Sequence, residues 1–150
     1  MTSVIDALYE LKYNPFKYGY HLASFYSELD KLEHNILLSQ LVIPLCTHPF
    51  YSKKIYNSNI RSSLWSVFNC QENLYDLQER IDEFQTLTEQ CINYCLVNDW
   101  LNIDIESLSI SAGNNTSPDF TNIKVAEKLA RLFNGNSAME IYSFLKVKPR

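Results

Sequence analysis

At 150 residues the chain is most economically one domain spanning 1–150, long enough to bury about 70% of the surface its unfolded chain would expose. Three Gly and five Pro favour helices joined by short connections and speak against a turn-rich sandwich, while the many Tyr and Phe read mainly as core. The net charge of −4 is bland as a total but uneven along the chain, −1 over residues 1–80, −7 over 81–123 and +4 over 124–150, which suggests either two differently charged contact surfaces or two solvated faces.

In chain order, Ser3 and Asp6 form a capping pair for a first short helix carrying Val4, Ile5, Leu8 and Leu11. A Tyr13-Asn14-Pro15-Phe16 turn follows, with Asn14 as a helix cap and Pro15 at the first helical position, where its missing N–H costs nothing. Tyr18, Leu22, Phe25 and Leu29 then recur at helical spacing and predict an amphipathic helix over 15–29. From His34 to about Thr47 the apolar residues are too continuous for a surface helix, so this segment reads as the central core helix, kinked or ended by Pro44. His48-Pro49-Phe50-Tyr51 turns the chain, Ser52 to Tyr56 can form a helical turn, and Ile60, Leu64, Val67 and Phe68 define another short helix with Trp65 beside its stripe.

The stretch from Asn69 to Ser111 carries the longest helical signal. Leu74, Leu77, Ile81, Phe84, Leu87, Cys91 and Tyr94 or Cys95 recur every three or four residues, so one apolar stripe runs along one helix or two abutting helices. Asn98 and Asp99 stop it, and the pattern changes to the alternation of a short hairpin, first in Trp100, Leu101, Asn102 and Ile103, then in Leu108, Ser109 and Ile110. A helix feeding directly into a two-stranded hairpin is the outline of a winged helix. From Ile81 to Ile123, however, there is no Lys, Arg or His against seven acidic side chains, and a duplex-gripping helix and wing need cations facing phosphate. The expectation is a winged-helix-like module that binds protein. The remainder, Ala112 to Thr121, reads as a surface loop, then come a helix carrying Val125, Leu129, Leu132 and Phe133 and ended by Gly135, and a last helix capped by Ser137 and Glu140. The fold class is therefore mainly α, a compact helical domain with a helical part at about 1–68, a winged-helix-like part at about 69–111 and C-terminal helices at about 122–146.

Chemistry is sparsely signalled. The three glycines are isolated, with no strand leading into a phosphate loop, so the chain is not expected to hydrolyse ATP. Cys91 and Cys95 are four apart on a helix and Cys46 lies near His48, but neither pair has the short spacing of a structural zinc site and Cys91 continues the apolar stripe. Nothing beside these cysteines or His21, His34 and His48 resembles a nucleophile elbow. No catalytic residue, metal or cofactor is expected. Cysteines without framework spacing, and an amino terminus lacking a basic region before an apolar one, point to the cytoplasm, and the longest oily run, Ile36 to Cys46, is half a bilayer span. A basic cluster, Lys124, Lys128 and Arg131, shares one helix face, with Lys146, Lys148 and Arg150 nearby in sequence. It could touch DNA or an acidic partner, or be solvated. Candidate partner contacts are this cluster and Trp100, Ile103 and Ile105 of the hairpin.

Several motifs line up with a known family. Tyr13-Asn14-Pro15-Phe16 resembles the asparagine-proline signature near the start of the middle components of bacterial three-component ABC-ATPase systems. Leu41-Val42-Ile43-Pro44-Leu45 with His48 resembles that family's leucine-proline-leucine core helix, and Ser62-Ser63-Leu64-Trp65 its serine-leucine-x-x-tryptophan segment, with the aromatic one place early. The ending Phe144-Leu145-Lys146-Val147-Lys148-Pro149 is similar to its closing leucine-glycine-valine-arginine-proline, with Lys146 in the place of glycine. The resemblance spans nearly the whole chain in the right order. It implies a non-enzymatic accessory subunit between an SMC-like or RecF-like ABC ATPase and an effector, often a nuclease, in anti-phage or anti-plasmid systems of the Lamassu kind, meeting DNA mainly through the complex. The rival reading is a small winged-helix DNA-binding regulator.

Overall fold

The computed structural model describes residues 3–30, 32–69, 71–113 and 123–150. It is mainly helical with one antiparallel hairpin. Helix α1 (Val4–Lys12) is closed at its start by the reciprocal pair in which Asp6 N–H donates to Ser3 Oγ at 3.1 Å and Ser3 N–H to Asp6 Oδ2 at 3.4 Å. Its apolar residues Val4, Ile5 and Leu8 are exposed. What holds α1 is its far end, where Lys12 Nζ and Tyr13 Oη both donate to Glu83 Oε1, at 2.8 and 2.6 Å. These bonds hold the Glu83 carboxyl below its ordinary range, Lys12 contributing more than Tyr13.

Helix α2 (Pro15–Glu28) starts as expected, with Phe16 N–H donating to Asn14 Oδ1 at 2.9 Å and Pro15 in the first turn. Leu22 and Phe25 on its inner face are fully buried. The apolar run after it divides in two, a 3-10 turn over Asn35–Leu38, entered from His34 in a left-handed backbone, φ 62°, and helix α3 (Ser39–Cys46). Pro44 lies inside α3, which ends two residues later. Helix α3 packs against α2 and against α4 (Tyr51–Tyr56), α6 (Leu77–Glu83), α7 (Gln85–Val97) and α8 (Lys124–Phe133), the central position that its continuous apolar sequence demands. Helix α5 (Leu64–Phe68) begins at a Ser63–Ser66 capping box, later than the apolar spacing suggests, and leaves Ile60 outside it.

The long apolar stripe is realised as two abutting helices, α6 and α7, joined at Phe84. Leu74, Leu77, Ile81, Phe84, Leu87, Cys91 and Cys95 are all buried, and Tyr94 is half-buried beside them. Gly19 lets α7 approach α2: a Cβ there would stand 3.1 Å from the Tyr94 ring and 3.6 Å from Cys95 Sγ. Strands β1 (Leu101–Asp104) and β2 (Ser109–Ala112) pair with Ile103 opposite Ile110. One edge of the hairpin is closed by a side chain. Asn35, 2% exposed, donates through Nδ2 to Ile110 O at 3.0 Å and accepts from Ile110 N–H at 2.6 Å, while His34 N–H and Ile36 N–H bond Ser107 O and Leu108 O. The segment 34–36 thus completes β2 as a third strand would.

Helix α8 and helix α9 (Ala138–Leu145) complete one apolar cluster that runs from Tyr18 to Val147 and draws on the helical, hairpin-bearing and C-terminal stretches alike. Gly135 (φ 88°) makes the turn between them. In α9 the inner residues are Ile141, Tyr142 and Leu145, whereas Met139 points into solvent. Lys146, in the place of the family's glycine, adopts the left-handed cap, φ 58° and ψ 39°. The expected loop at Ala112–Thr121 lies mostly outside the described residues.

Two stability outcomes follow from these contacts. Replacing Asn35 by Ala leaves the Ile110 N–H and C=O without partners in a dry site and lowers unfolding free energy by about 2–4 kcal/mol in urea titration; a loss below about 1 kcal/mol would contradict the third-strand role. Lys146→Gly removes the Cβ penalty of a left-handed residue and raises stability by up to about 1 kcal/mol in the same assay.

Candidate interaction surfaces

Helix α2 lies between two flanks, packed against α7 on one and α8 on the other. The α7 flank is acidic. Glu89, Asp99, Asp104 and Glu106 are exposed along α7 and the hairpin, in a stretch without any cation. Asp82 and Glu83, at the root of this stretch, are neutralised from elsewhere, Asp82 by Arg150 at 2.8 Å and Glu83 by Lys12. Between them and α2, four rings form a chain: Phe16 meets Tyr94 edge-on at 4.9 Å, Tyr94 meets Trp100 edge-on at 5.3 Å, and Trp100 stacks on Tyr20 at 5.0 Å. Trp100 is thereby a half-buried joint between α2 and the hairpin, while Ile103 and especially Ile105, 80% exposed, are open to solvent. A groove of about 630 Å³ runs beneath Phe16, lined by Tyr13, Asn14, Pro15, Glu83, Thr86 and Gln90.

The α8 flank is basic, and it is larger than the sequence cluster. Helix α4 packs on α8 and brings Lys53 beside Val125, while the turn 58–62 brings Ile60 and Ser62 to the wall formed by Lys128 and Arg131. Lys128 donates to the Tyr56 carbonyl and lies 5.0 Å over the Tyr56 ring. Arg131 Nε reaches Glu28 Oε2 at 3.5 Å, and Lys124 is exposed one turn before Lys128. Lys53 stands more than 60 residues before α8 in the chain, so no local spacing signals it. The basic tail, by contrast, turns away from this flank. Lys148 N–H donates to Gln78 Oε1 on α6, and Arg150 N–H to Gln40 Oε1 on α3, both at 2.7 Å.

Of the groups considered for chemistry, His21 Nδ1 is buried without a hydrogen-bond partner among the described residues, whereas His48 is hydrogen-bonded and Cys46, Cys91 and Cys95 are buried. His48 accepts at Nδ1 from Phe50 N–H and Tyr51 N–H, 3.1 and 3.2 Å, so its proton sits on Nε2 and points to Asp76 Oδ1 at 3.2 Å. The imidazole ties the turn after α3 to the start of α6. Pro44 is buried and lends its carbonyl to Arg80 Nε at 3.2 Å. Cys91 and Cys95 are buried against α2, with Cys95 Sγ 3.3 Å from Gly19 O, and burial pushes both thiols up to about 12, far from thiolate reactivity. Burial likewise pushes the Cys46 thiol upward. Trp65 is 65% exposed on α5. Among the described residues, no group of three His, Cys, Asp or Glu side chains could hold a metal ion, and no helix is long and apolar enough to cross a membrane.

Among the described residues the chain is mostly helical, with an acidic flank on α7 and the hairpin, a basic one on α4 and α8, and Cys46, Cys91 and Cys95 buried. Over residues 2–149 the chain matches the family model of the ABC-three component (ABC-3C) system Middle Component 3, and it belongs to that family. It is thus a middle component of a three-component ABC system, associating with the system's other components. No curated protein and no solved structure matches it.

One titration is built into α2. His21 is largely buried beside Lys17, and burial first, then the Lys17 charge, lowers its pKa from the ordinary 6.5 to about 4. The folded form holds this imidazole neutral while the unfolded chain protonates it. Stability therefore falls as pH drops through 6.5 towards 4, by at most about 1.4 kcal/mol per pH unit from this group. Thermal melts of wild type and His21→Leu across that window check it: the His21→Leu curve is the flatter.

Proposed function

We propose that this middle component is a non-catalytic accessory subunit that bridges an SMC-like or RecF-like ABC ATPase and a nuclease-like effector, in a cytoplasmic anti-phage or anti-plasmid defence complex of the Lamassu kind. The observation that carries the reading is the division of charge across α2, an acidic flank on α7 and the hairpin, a basic one on α4 and α8. A protein with two opposed and oppositely charged faces can hold two different partners at once, each face rejecting the other's partner by like-charge repulsion. Unequal affinity of either face for two arrangements of the ATPase then biases those arrangements.

On this reading the α7–hairpin unit works as a winged-helix-like module turned to protein recognition. Its exposed side chains are carboxylates where a duplex reader needs cations, and the hairpin presents Ile103 and Ile105 between them. ATP binding and most DNA contact fall to the ATPase, and the effector supplies the chemistry.

Co-expression with the other two components of its own system tests this. The chain is expected to co-elute with both in stoichiometric amounts and to change the ATPase rate. A monomer that elutes apart from both would refute the reading, and salt-sensitive duplex binding by the isolated chain would favour a DNA-binding regulator.

A further inference from the structure

The turn 58–62 is built to hold an oily side chain in water. Arg61 N–H donates to Asn59 Oδ1 at 2.8 Å, Asn59 N–H to Ser62 Oγ at 2.9 Å and Ser62 N–H to Asn59 O at 2.9 Å, with Ser58 Oγ donating to Ile55 O at 2.6 Å. At the tip stands Ile60, 99% exposed. Turns of this kind favour Asn, Asp, Ser or Gly, and a β-branched apolar residue gains nothing there from the fold itself. Behind it lies a cleft of about 590 Å³ whose floor is Leu132 of α8 and whose walls include Ser62, Lys128, Arg131 and Asn134. Lys128 separates it from a second hollow lined by Lys53, Tyr56 and Val125, the exposed Tyr56 ring adjoins Lys128, and Lys124 is exposed one turn before Lys128 on α8.

We propose that this cleft receives an acidic segment of another component of the same system, which inserts an apolar side chain against Ile60 and Leu132 and sets carboxylates against Lys128 and, on the adjoining α4–α8 surface, Lys53 and Lys124. The inference deepens the bridging reading and rests on it, by assigning the basic flank a ligand chemistry. A rigid turn loses little conformational freedom on binding, and a central apolar contact ringed by charge is how interfaces concentrate their energy. Charge decides against the other occupants. A second copy docked on the same patch would face cations with cations. Duplex DNA would meet a protein of net charge −4, with Glu28 at the rim already pairing Arg131 and a concave apolar floor that a phosphate backbone cannot fill.

Calorimetry of the chain with each of the other two purified components gives the test. Ile60→Asp and the double change Lys53→Glu/Lys124→Glu are each expected to weaken binding of one component by about tenfold or more. Melting temperatures stay at the wild-type value, and Ile105→Asp on the opposite flank leaves that component's affinity unchanged. Carbodiimide treatment of the wild-type complex should link Lys53, Lys124 or Lys128 to Asp or Glu of that component. Binding unaffected by both variants overturns the inference while leaving the bridging reading standing, and so does duplex binding that both variants abolish in place of component binding. A wild-type chain that ignores both components overturns the two together.

Discussion

The arrangement depends on the close passage of α7 across α2. Gly19 is what permits it. A Cβ there would stand 3.1 Å from the Tyr94 ring, which would have to give by a few tenths of an ångström, and in ordinary contact with the Cys95 sulfur at 3.6 Å. A mid-helix glycine costs about 1 kcal/mol against Ala in helix propensity, and here the cost is offset by burying the Cys91 and Cys95 face of α7 on α2. Once α7 is seated, Tyr94 engages Phe16 and Trp100, Trp100 stacks on Tyr20, and the hairpin is fixed in position by its first residues. On the far side Ser24 Oγ accepts from Ile123 N–H at 2.9 Å and so ties the start of α8 to the same helix. One helix therefore spaces the two charged flanks.

That spacing has an electrostatic consequence. With α2 between them, the carboxylates of α7 and the cations of α8 do not pair with each other, and both fields stay open to solvent. Local partners trim each flank without cancelling it: Arg150 and Lys12 take Asp82 and Glu83, and Glu28 takes Arg131. Such exposed pairs contribute little to stability. Their effect is to fix which charges remain available, Glu89, Asp99, Asp104 and Glu106 on one side and Lys53 and Lys124 on the other.

Several buried polar residues tie the framework together. Asn35 finishes the hairpin sheet, His48 joins the turn after α3 to α6 through two backbone amides and a carboxylate, and the buried cysteines fill the α2–α7 contact. A buried amide or imidazole with every partner in place specifies one register and one turn, which an apolar residue of the same size could not do. The side chains left in water are of another kind: Ile60, Ile105 and Trp65 are apolar and exposed, on a turn, a hairpin tip and a short helix.

By itself the sequence determined the elements with strong local codes. The Asn14-Pro15 start of α2, the stripe from Leu74 to Cys95, the switch to alternation at Trp100 and the Ser137 cap all follow from spacing and backbone chemistry within a few residues, and the order of motifs was enough to suggest the family. Other features had no local signal. The exposed stripe of α1, the release of Ile60 from α5 and the outward Met139 each depended on whether a distant surface was there to cover an apolar face. Only the tertiary structure could decide that Asn35 is a strand's partner 75 residues away, that Lys53 of α4 lies beside α8, and that the basic tail goes to α6. Charge and amide groups act through space, and the chain gives their number and order but not their neighbours.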